Sequence, residues 1–293
     1  MEPVLDAVAL HLPVLPAEVQ ATLAPRPGER VLDCTLGMGG HAAAVLAAGA
    51  TVVGIDRDPQ ARNLATGRLS EFSGRFAVRA GTFAEVVEDC VRNGERFDGV
   101  LADLGVSSLQ LDDHGRGFSI RSEVRPDMRM GDDAEDALDL IDRLDEAGLA
   151  DIIYQYGEER LSRRIARSIK RARAEGAVNT AAELAAVVRR AVPGHQPRHP
   201  ALRTFQALRI AVNDELGQLD RLLAALPELL TPGGRAVLIS FHSLEDRRVK
   251  LALRDHRGAG RISDAAKHPI IASDTESAAN PRSASAKLRW AVR

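Results

Sequence analysis

Short, branched apolar runs alternate with helical stretches along the first hundred residues, and that alternation constrains the fold more than any single motif. RVLDCT (Arg30–Thr35), TVVGID (Thr51–Asp56) and FDGVLADL (Phe97–Leu104) are rich in branched apolar residues and end on polar or glycine positions. RFAVRA (Arg75–Ala80) is a weaker run of the same kind. Helical stretches fall between them, among them Ala42–Ala48, stopped by Gly49, and Pro59–Leu69. Strands that are apolar along their length and alternate with helices predict an α/β fold, a parallel sheet covered on both faces.

The rhythm breaks after Leu111. DDHGRGFSIRSEVRPDMRMGDD is polar and aperiodic, and residues 134–191 read as helical throughout. VPGHQPRHP (Val192–Pro200) ends that stretch, and the strand–helix rhythm then returns. RTFQALRIAVNDELGQLDRLLAALPELL reads as one long amphipathic helix, TPGG as a turn and RAVLISF (Arg235–Phe241) as a buried strand. The tail from Arg254 to Pro281 is polar and loop-like, and AKLRWAV (Ala286–Val292) closes the sheet. The expected organisation is a discontinuous α/β domain, residues 1–111 and 201–293, interrupted by a mostly helical insert, residues 112–200, that recognises the substrate. No run approaches the roughly 18 apolar residues of a membrane span. No basic region precedes the apolar residues of the N-terminus, so no signal peptide is expected. Cys34 and Cys90 make neither a disulfide framework nor a metal site, which fits a reducing cytoplasm.

The net charge of −2 predicts no gross attraction to nucleic acid, but it conceals segregation. Acidic residues dominate Asp132–Asp151, whereas RLSRRIARSIKRAR (Arg160–Arg173) carries seven basic residues and no acid. Leu161, Ile165 and Ile169 recur every four residues and form one buried stripe, which leaves Arg163, Arg164 and Arg167 on faces open to RNA phosphates. Glu158 and Glu159 read as a solvated helix face.

DCTLGMGGHA (Asp33–Ala42) is a glycine turn between the first strand and its helix. Gly37, Gly39 and Ala42 satisfy the dinucleotide pattern, and Asp56 follows Gly37 by nineteen residues, a spacing suited to a ribose hydroxyl. Its surroundings favour S-adenosylmethionine. Asp33 would oppose a pyrophosphate but suits a cationic methionine amino group. GTF (Gly81–Phe83) offers amides and an aromatic edge to an adenine, and Asp103 ends the fourth strand near the cleft. An NAD-dependent oxidoreductase is a poor fit to Asp33 and to the TPGG strand.

In order along nearly the whole chain, HLPVL, DCTLGMGGHA, GIDRDPQA, FDGVLADLGVSSLQLDD, GRGFS, DMRM, YGEE, RTFQALRIAVNDEL, LISFHSLEDRRVK and NPRSASAKLR resemble the ribosomal RNA small subunit methyltransferase H (RsmH/MraW) family. The resemblance implies a Rossmann-like class I S-adenosylmethionine-dependent methyltransferase fold with a helical insert. The implied reaction is N4-methylation of one cytidine in the decoding region of 16S rRNA, on that rRNA or the small ribosomal subunit. It also implies cofactor contacts at Gly39, Gly40, His41, Asp56, Phe83, Asp103 and Gln110. Arg125-Pro126, Leu202 and a short polar tail depart from the family pattern.

Transfer to an exocyclic amine is largely positioning, helped by an acceptor for its N–H. Asp103 is the candidate acceptor, with a purely cofactor-side hydrogen bond as the alternative. His242, after the fifth strand, is the second catalytic candidate, its alternative a loop histidine bonded to backbone. His11 would pack or close the cleft. Neither cysteine occupies the fourth-strand loop where a carbon-5 methyltransferase nucleophile would sit. A methyltransferase of another RNA or of a protein, and a non-catalytic RNA-binding protein on the same fold, are the competing readings.

Overall fold

The computed structural model of the chain describes residues 12–107, 110, 114–131, 135–194 and 196–293. The path runs α1 (Pro16–Leu23), β1 (Arg30–Asp33), α2 (Gly40–Ala47), β2 (Thr51–Asp56), α3 (Pro59–Arg68), β3 (Phe76–Ala80), α4 (Phe83–Arg92) and β4 (Phe97–Asp103). Helices follow: α5 (Ala137–Arg143), α6 (Glu146–Gly157), α7 (Ser162–Ala174), α8 (Ala181–Ala191), α9 (Ala201–Asn213) and α10 (Glu215–Leu229). The chain ends through β5 (Leu230–Ser240), α11 (Ser243–Gly258), β6 (Asp264–Ala265), β7 (Ile270–Ile271), α12 (Asp274–Ala279) and β8 (Lys287–Val292). Two compact units result. One holds the residues up to Gly105 with Leu216–Arg293, the other Val106–Glu215. Among the described residues no helix is long and apolar enough to cross a membrane.

The first unit is built on a sheet of order β3-β2-β1-β4-β5-β8-β6, with β7 also paired to β8. Strands β1 to β5 run parallel and β8 runs antiparallel to β5. The period of two along each strand divides its side chains between two cores. Leu32, Val53, Val100 and Leu238 pack with residues of α4, α10 and α11. Their neighbours Val31, Val52, Leu101 and Val237 pack with residues of α1, α2 and α3. Each such fully buried side chain contributes roughly 1.5–3 kcal/mol, so a strand apolar on both faces is held strongly in register. The strand order reverses between β1 and β4, and a crevice opens at the carboxyl ends of strands beside such a reversal. Asp33 and Asp103 are the last residues of those two strands.

Local signals set the helix starts. The Asp58 carboxylate accepts from Gln60 N at 2.9 Å ahead of Pro59, which opens α3. Thr82 and Glu85 form a capping box at α4. Three stretches differ from the sequence expectation. The long amphipathic helix is two, α9 and α10, because Asp214 turns left-handed at φ 48°. TPGG lies within β5, where the register to β4 shifts between Phe97 and Gly99. The polar tail carries regular structure. α11 reaches Gly258, with Val249, Leu253 and His256 on its buried side, and β6, β7 and α12 follow.

The second unit packs α5 to α9 around an apolar cluster that includes Met128, Ile141, Ile153, Ile165 and Leu208. A buried amide ties its irregular segment to α9. The Asn213 side chain accepts from Met130 N at 2.8 Å and donates to Met128 O at 2.7 Å and Arg209 O at 2.9 Å. Met128 is itself buried and left-handed at φ 59°, so the clamp holds a strained backbone. Arg125 pairs with Asp136 and Asp139, and Leu202 is exposed. Asn213→Ala leaves buried backbone groups unsatisfied, so a loss of roughly 2–4 kcal/mol is expected in thermal or denaturant unfolding. Faster hydrogen exchange at the Met130 amide is the local check.

Candidate active site

The polar residues at the strand ends of the first unit are tied to one another through the backbone. Asp33 Oδ1 accepts from Thr35 N at 3.1 Å, and Asp103 N donates to Thr35 Oγ1 at 2.6 Å, so one hydroxyl joins the ends of β1 and β4. Leu36 N donates to Ile55 O at 2.9 Å, which carries the turn across to β2. Gly54 admits this approach, since a Cβ there would stand 2.7 Å from Leu36 Cδ1. Asp56 Oδ2 accepts from Gly37 N at 2.8 Å and Oδ1 from Asp58 N at 2.9 Å. Each oxygen keeps a lone pair, so Asp56 is oriented yet still able to accept a hydroxyl.

Gly39 precedes α2 at φ 75°, and a Cβ would meet Leu69 Cδ1 at 2.9 Å. Only glycine meets both conditions. The first amides of α2 then face outward without intrahelical acceptors. His41, on that first turn, is buried with Nε2 3.8 Å from Asp103 Oδ2. Gly81 bends the chain after β3 and Phe83 opens α4, partly buried. After β5, Glu245 Oε2 accepts from Phe241 N at 2.9 Å and His242 N at 3.3 Å. Its Oε1 lies 3.3 Å from His242 Nε2.

The charge balance of this region is acidic. Burial, with Asp56 nearby, pushes the Asp33 carboxyl up to about 7. Burial, with Asp33 and Glu245 close, pushes Asp103 up to about 8, although a quarter of its side chain stays open. Asp56 is raised chiefly by burial, against the two backbone bonds it accepts. Asp103 Oδ1 is buried with no hydrogen-bond partner among the described residues. Such a set calls for a cation and a donor. It fits the ammonium and sulfonium of S-adenosylmethionine, with Asp56 for a ribose and the amides of α2 for a carboxylate, and it opposes a pyrophosphate.

The structure thus gathers Asp33, Gly39, Gly40, His41, Asp56, Phe83, Asp103 and His242 within the sheet unit. Gln110 and the basic helix belong to the other. Gln110 is buried there and exchanges hydrogen bonds with Ser107, Oε1 accepting from Ser107 N at 3.0 Å. Arg163 and Arg164 are exposed on α7, and Arg167 reaches Glu146 at 3.2 Å. Lys170 is spent on the carbonyls of Ile141 and Leu144, and Arg173 on Asp142 and Val178. Glu159 is no solvated face: it is buried, accepts from Leu161 N at 2.8 Å and faces Arg203 at 3.6 Å. His11 lies outside the described residues.

The sequence profile of the MraW methylase family matches residues 8–293. The chain belongs to the MraW methylase family. It is 50% identical over 287 residues to the ribosomal RNA small subunit methyltransferase H of Deinococcus deserti, covering 97% of this chain and 93% of that one. The protein of the same name from Gluconobacter oxydans is 46% identical over 302 residues, covering 96% and 93%. In this MraW methylase, Thr35 and Glu245 are the site residues that the sequence reading missed. Thr35 carries only a strand-end position as its signal. Glu245 could be found from its spacing, an acid three residues after the residue that caps a helix.

The folded, ligand-free chain holds protons on Asp33 and Asp103 at pH values where the unfolded chain, near 3.8, has released them. Stability contributed by these groups therefore falls as pH rises from about 4 to about 8. Asp103→Asn removes the share of that loss that Asp103 contributes. Its ligand-free melting temperature is expected to exceed the parent's by about 3 °C or more at pH 8, the gap closing as pH falls below about 4, read by thermal unfolding.

Proposed function

We propose that the chain transfers the methyl group of S-adenosylmethionine to the N4 amine of one cytidine in the decoding region of 16S rRNA. The observation that carries the proposal is the pair of buried carboxylates, Asp33 and Asp103, at the reversal of strand order. They place two carboxyls at the ends of adjacent strands, and Asp103 Oδ1 lacks a donor among the described residues. When bound, S-adenosylmethionine supplies an electrophilic methyl on a sulfonium. Asp33 would hold its ammonium and the first amides of α2, at Gly40 and His41, its carboxylate. Asp56 would take the ribose and Phe83 the adenine edge. Gln110 is a further cofactor contact in this reading.

The substrate amine donates its lone pair poorly because cytosine delocalises it into the ring. An anion that accepts one N–H favours the pyramidal nitrogen that attacks, and Asp103 has the free oxygen for that bond. The cysteines do not suit a carbon-5 reaction. Cys34 is buried and its thiol is raised well above its usual value by burial and by Asp33. Cys90 is buried and takes a hydrogen bond from Arg79 Nη1 at 3.0 Å.

The RNA would bind through α7. Arg163 and Arg164 stand exposed beside Arg167, while Ile165 and Ile169 anchor the helix in its core. The target base has to be single-stranded or flipped to reach a strand-end cleft. Mass analysis of small-subunit rRNA with and without the enzyme is the test. A methyl on the cytidine amine that depends on the enzyme supports the reading, and unchanged rRNA refutes it. Replacing Arg163, Arg164 and Arg167 by Glu is expected to weaken RNA binding roughly tenfold or more and to flatten its salt dependence. S-adenosylmethionine affinity, read by calorimetry, should stay the same.

A further inference from the structure

HLPVL and NPRSASAKLR stand at opposite ends of the sequence, and the fold brings them together against α2. Leu12–Leu15 is the described part of the first. Pro13 lies on Gly40: a Cβ added at Gly40 would stand 3.4 Å from Pro13 Cβ and 3.6 Å from its Cγ and Cδ. Gly40 is the first residue of α2, where the amide has no intrahelical acceptor. Val14 and Leu15 are buried in the apolar cluster that includes Ala42, Val45 and Leu46 of the same helix. Leu12, by contrast, is 59% exposed. The segment is a short strap, seated at Leu15, open to water at Leu12, with a proline ring on the start of α2.

The tail grips this strap at two points, one on each side of Pro13 and Val14. Leu15 N donates to Glu276 Oε1 at 2.6 Å, and Asn280 Nδ2 donates to Leu12 O at 3.2 Å. Leu15 is left-handed at φ 52°, an uncommon conformation for a leucine, and a charge-assisted bond to the carboxylate holds it there. Both tail residues are fixed in turn. Glu276 N donates to Ser273 Oγ at 3.1 Å at the start of α12, and Asn280 O accepts from the N of the fully buried Ser283 at 2.9 Å.

We propose that Glu276 and Asn280 are positioning residues that latch this strap, so that Pro13 closes the methionine end of the cofactor site and sets how fast S-adenosylmethionine leaves. The inference rests on the cofactor reading above, in which the first amides of α2 take the methionine carboxylate. An apolar ring against Gly40 keeps water from competing for those amides, and a hydrogen bond to a charged acceptor is stronger where water is excluded. The strap is held to the tail by two bonds, one of them exposed, so it opens more readily than the sheet beneath it. Cofactor exchange then follows strap opening.

Glu276→Ala and Asn280→Ala test this with two ligands. Methylthioadenosine shares the adenosine and the sulfur of S-adenosylmethionine and lacks its amino-acid end. Each variant is expected to release S-adenosylmethionine about tenfold faster than the parent in a displacement experiment, with methylthioadenosine affinity within about twofold of the parent. Pro13→Gly should do the same without touching the tail. Glu276→Gln keeps an acceptor for Leu15 N and should restore most of the slow release. Damage to the fold at large would weaken both ligands together. Equal loss of both ligands, or unchanged release of S-adenosylmethionine in the alanine variants, overturns the proposal. A parent chain that holds S-adenosylmethionine no more tightly than methylthioadenosine refutes instead the placement of the methionine end at α2. Hydrogen exchange at the Leu15 amide of the ligand-free chain then decides the latch. Exchange about tenfold faster in Asn280→Ala, which keeps the Glu276 acceptor, supports it, and an unchanged rate refutes it.

Discussion

One hydroxyl organises the site. Thr35 accepts the Asp103 amide while its own amide holds Asp33, so the ends of β1 and β4 are locked where the strand order reverses. Burial raises both carboxyls, with Asp56 adding to it at Asp33 and Asp33 and Glu245 adding to it at Asp103. Neighbouring acids at the base of a cleft destabilise a folded chain at neutral pH. The sheet tolerates them because its strands are apolar on both faces and anchored in two separate cores. In the proposed reading a cation bound there would favour the ionised carboxylates, so the feature that weakens the empty protein would favour a positively charged methyl donor.

The glycine turn has a narrower role than its pattern suggests. Gly39 is needed because a side chain would strike Leu69, and Gly54 on the neighbouring strand because Leu36 packs over it. These contacts set the backbone path and expose the first amides of α2. The distinction between cofactors lies in the carboxylates around the turn, Asp33, Asp56 and Asp103, which suit an ammonium and a ribose and would repel a pyrophosphate.

Much of this was legible in the sequence. Strands β1, β2 and β4 follow from short branched apolar runs, and Asp33, Asp56 and Asp103 from their positions at the ends of those runs. The break at Asp214 was not legible, because the apolar period continues through it and a left-handed aspartate leaves no signature in the pattern. The polar tail hid the last turn of α11 and the short β6, β7 and α12 for the opposite reason: short elements with few buried residues look like loop by composition. The basic helix shows a third limit. Lys170 and Arg173 share the charge run with Arg163 and Arg164, yet they are spent on carbonyls and on Asp142, a division only the packing of α7 reveals. Glu159 was misread likewise, since its pairing with Leu161 N and Arg203 depends on the chain turning after α6.

The central claim is that a cationic cofactor binds where Asp33 and Asp103 hold protons in the empty protein. Titration calorimetry of S-adenosylmethionine at pH 7, repeated in two buffers of different ionisation enthalpy, measures the protons exchanged on binding. The account predicts tight binding with release of about one proton, as the cation draws both carboxyls down. Binding without proton release, or NAD binding in its place, would contradict it.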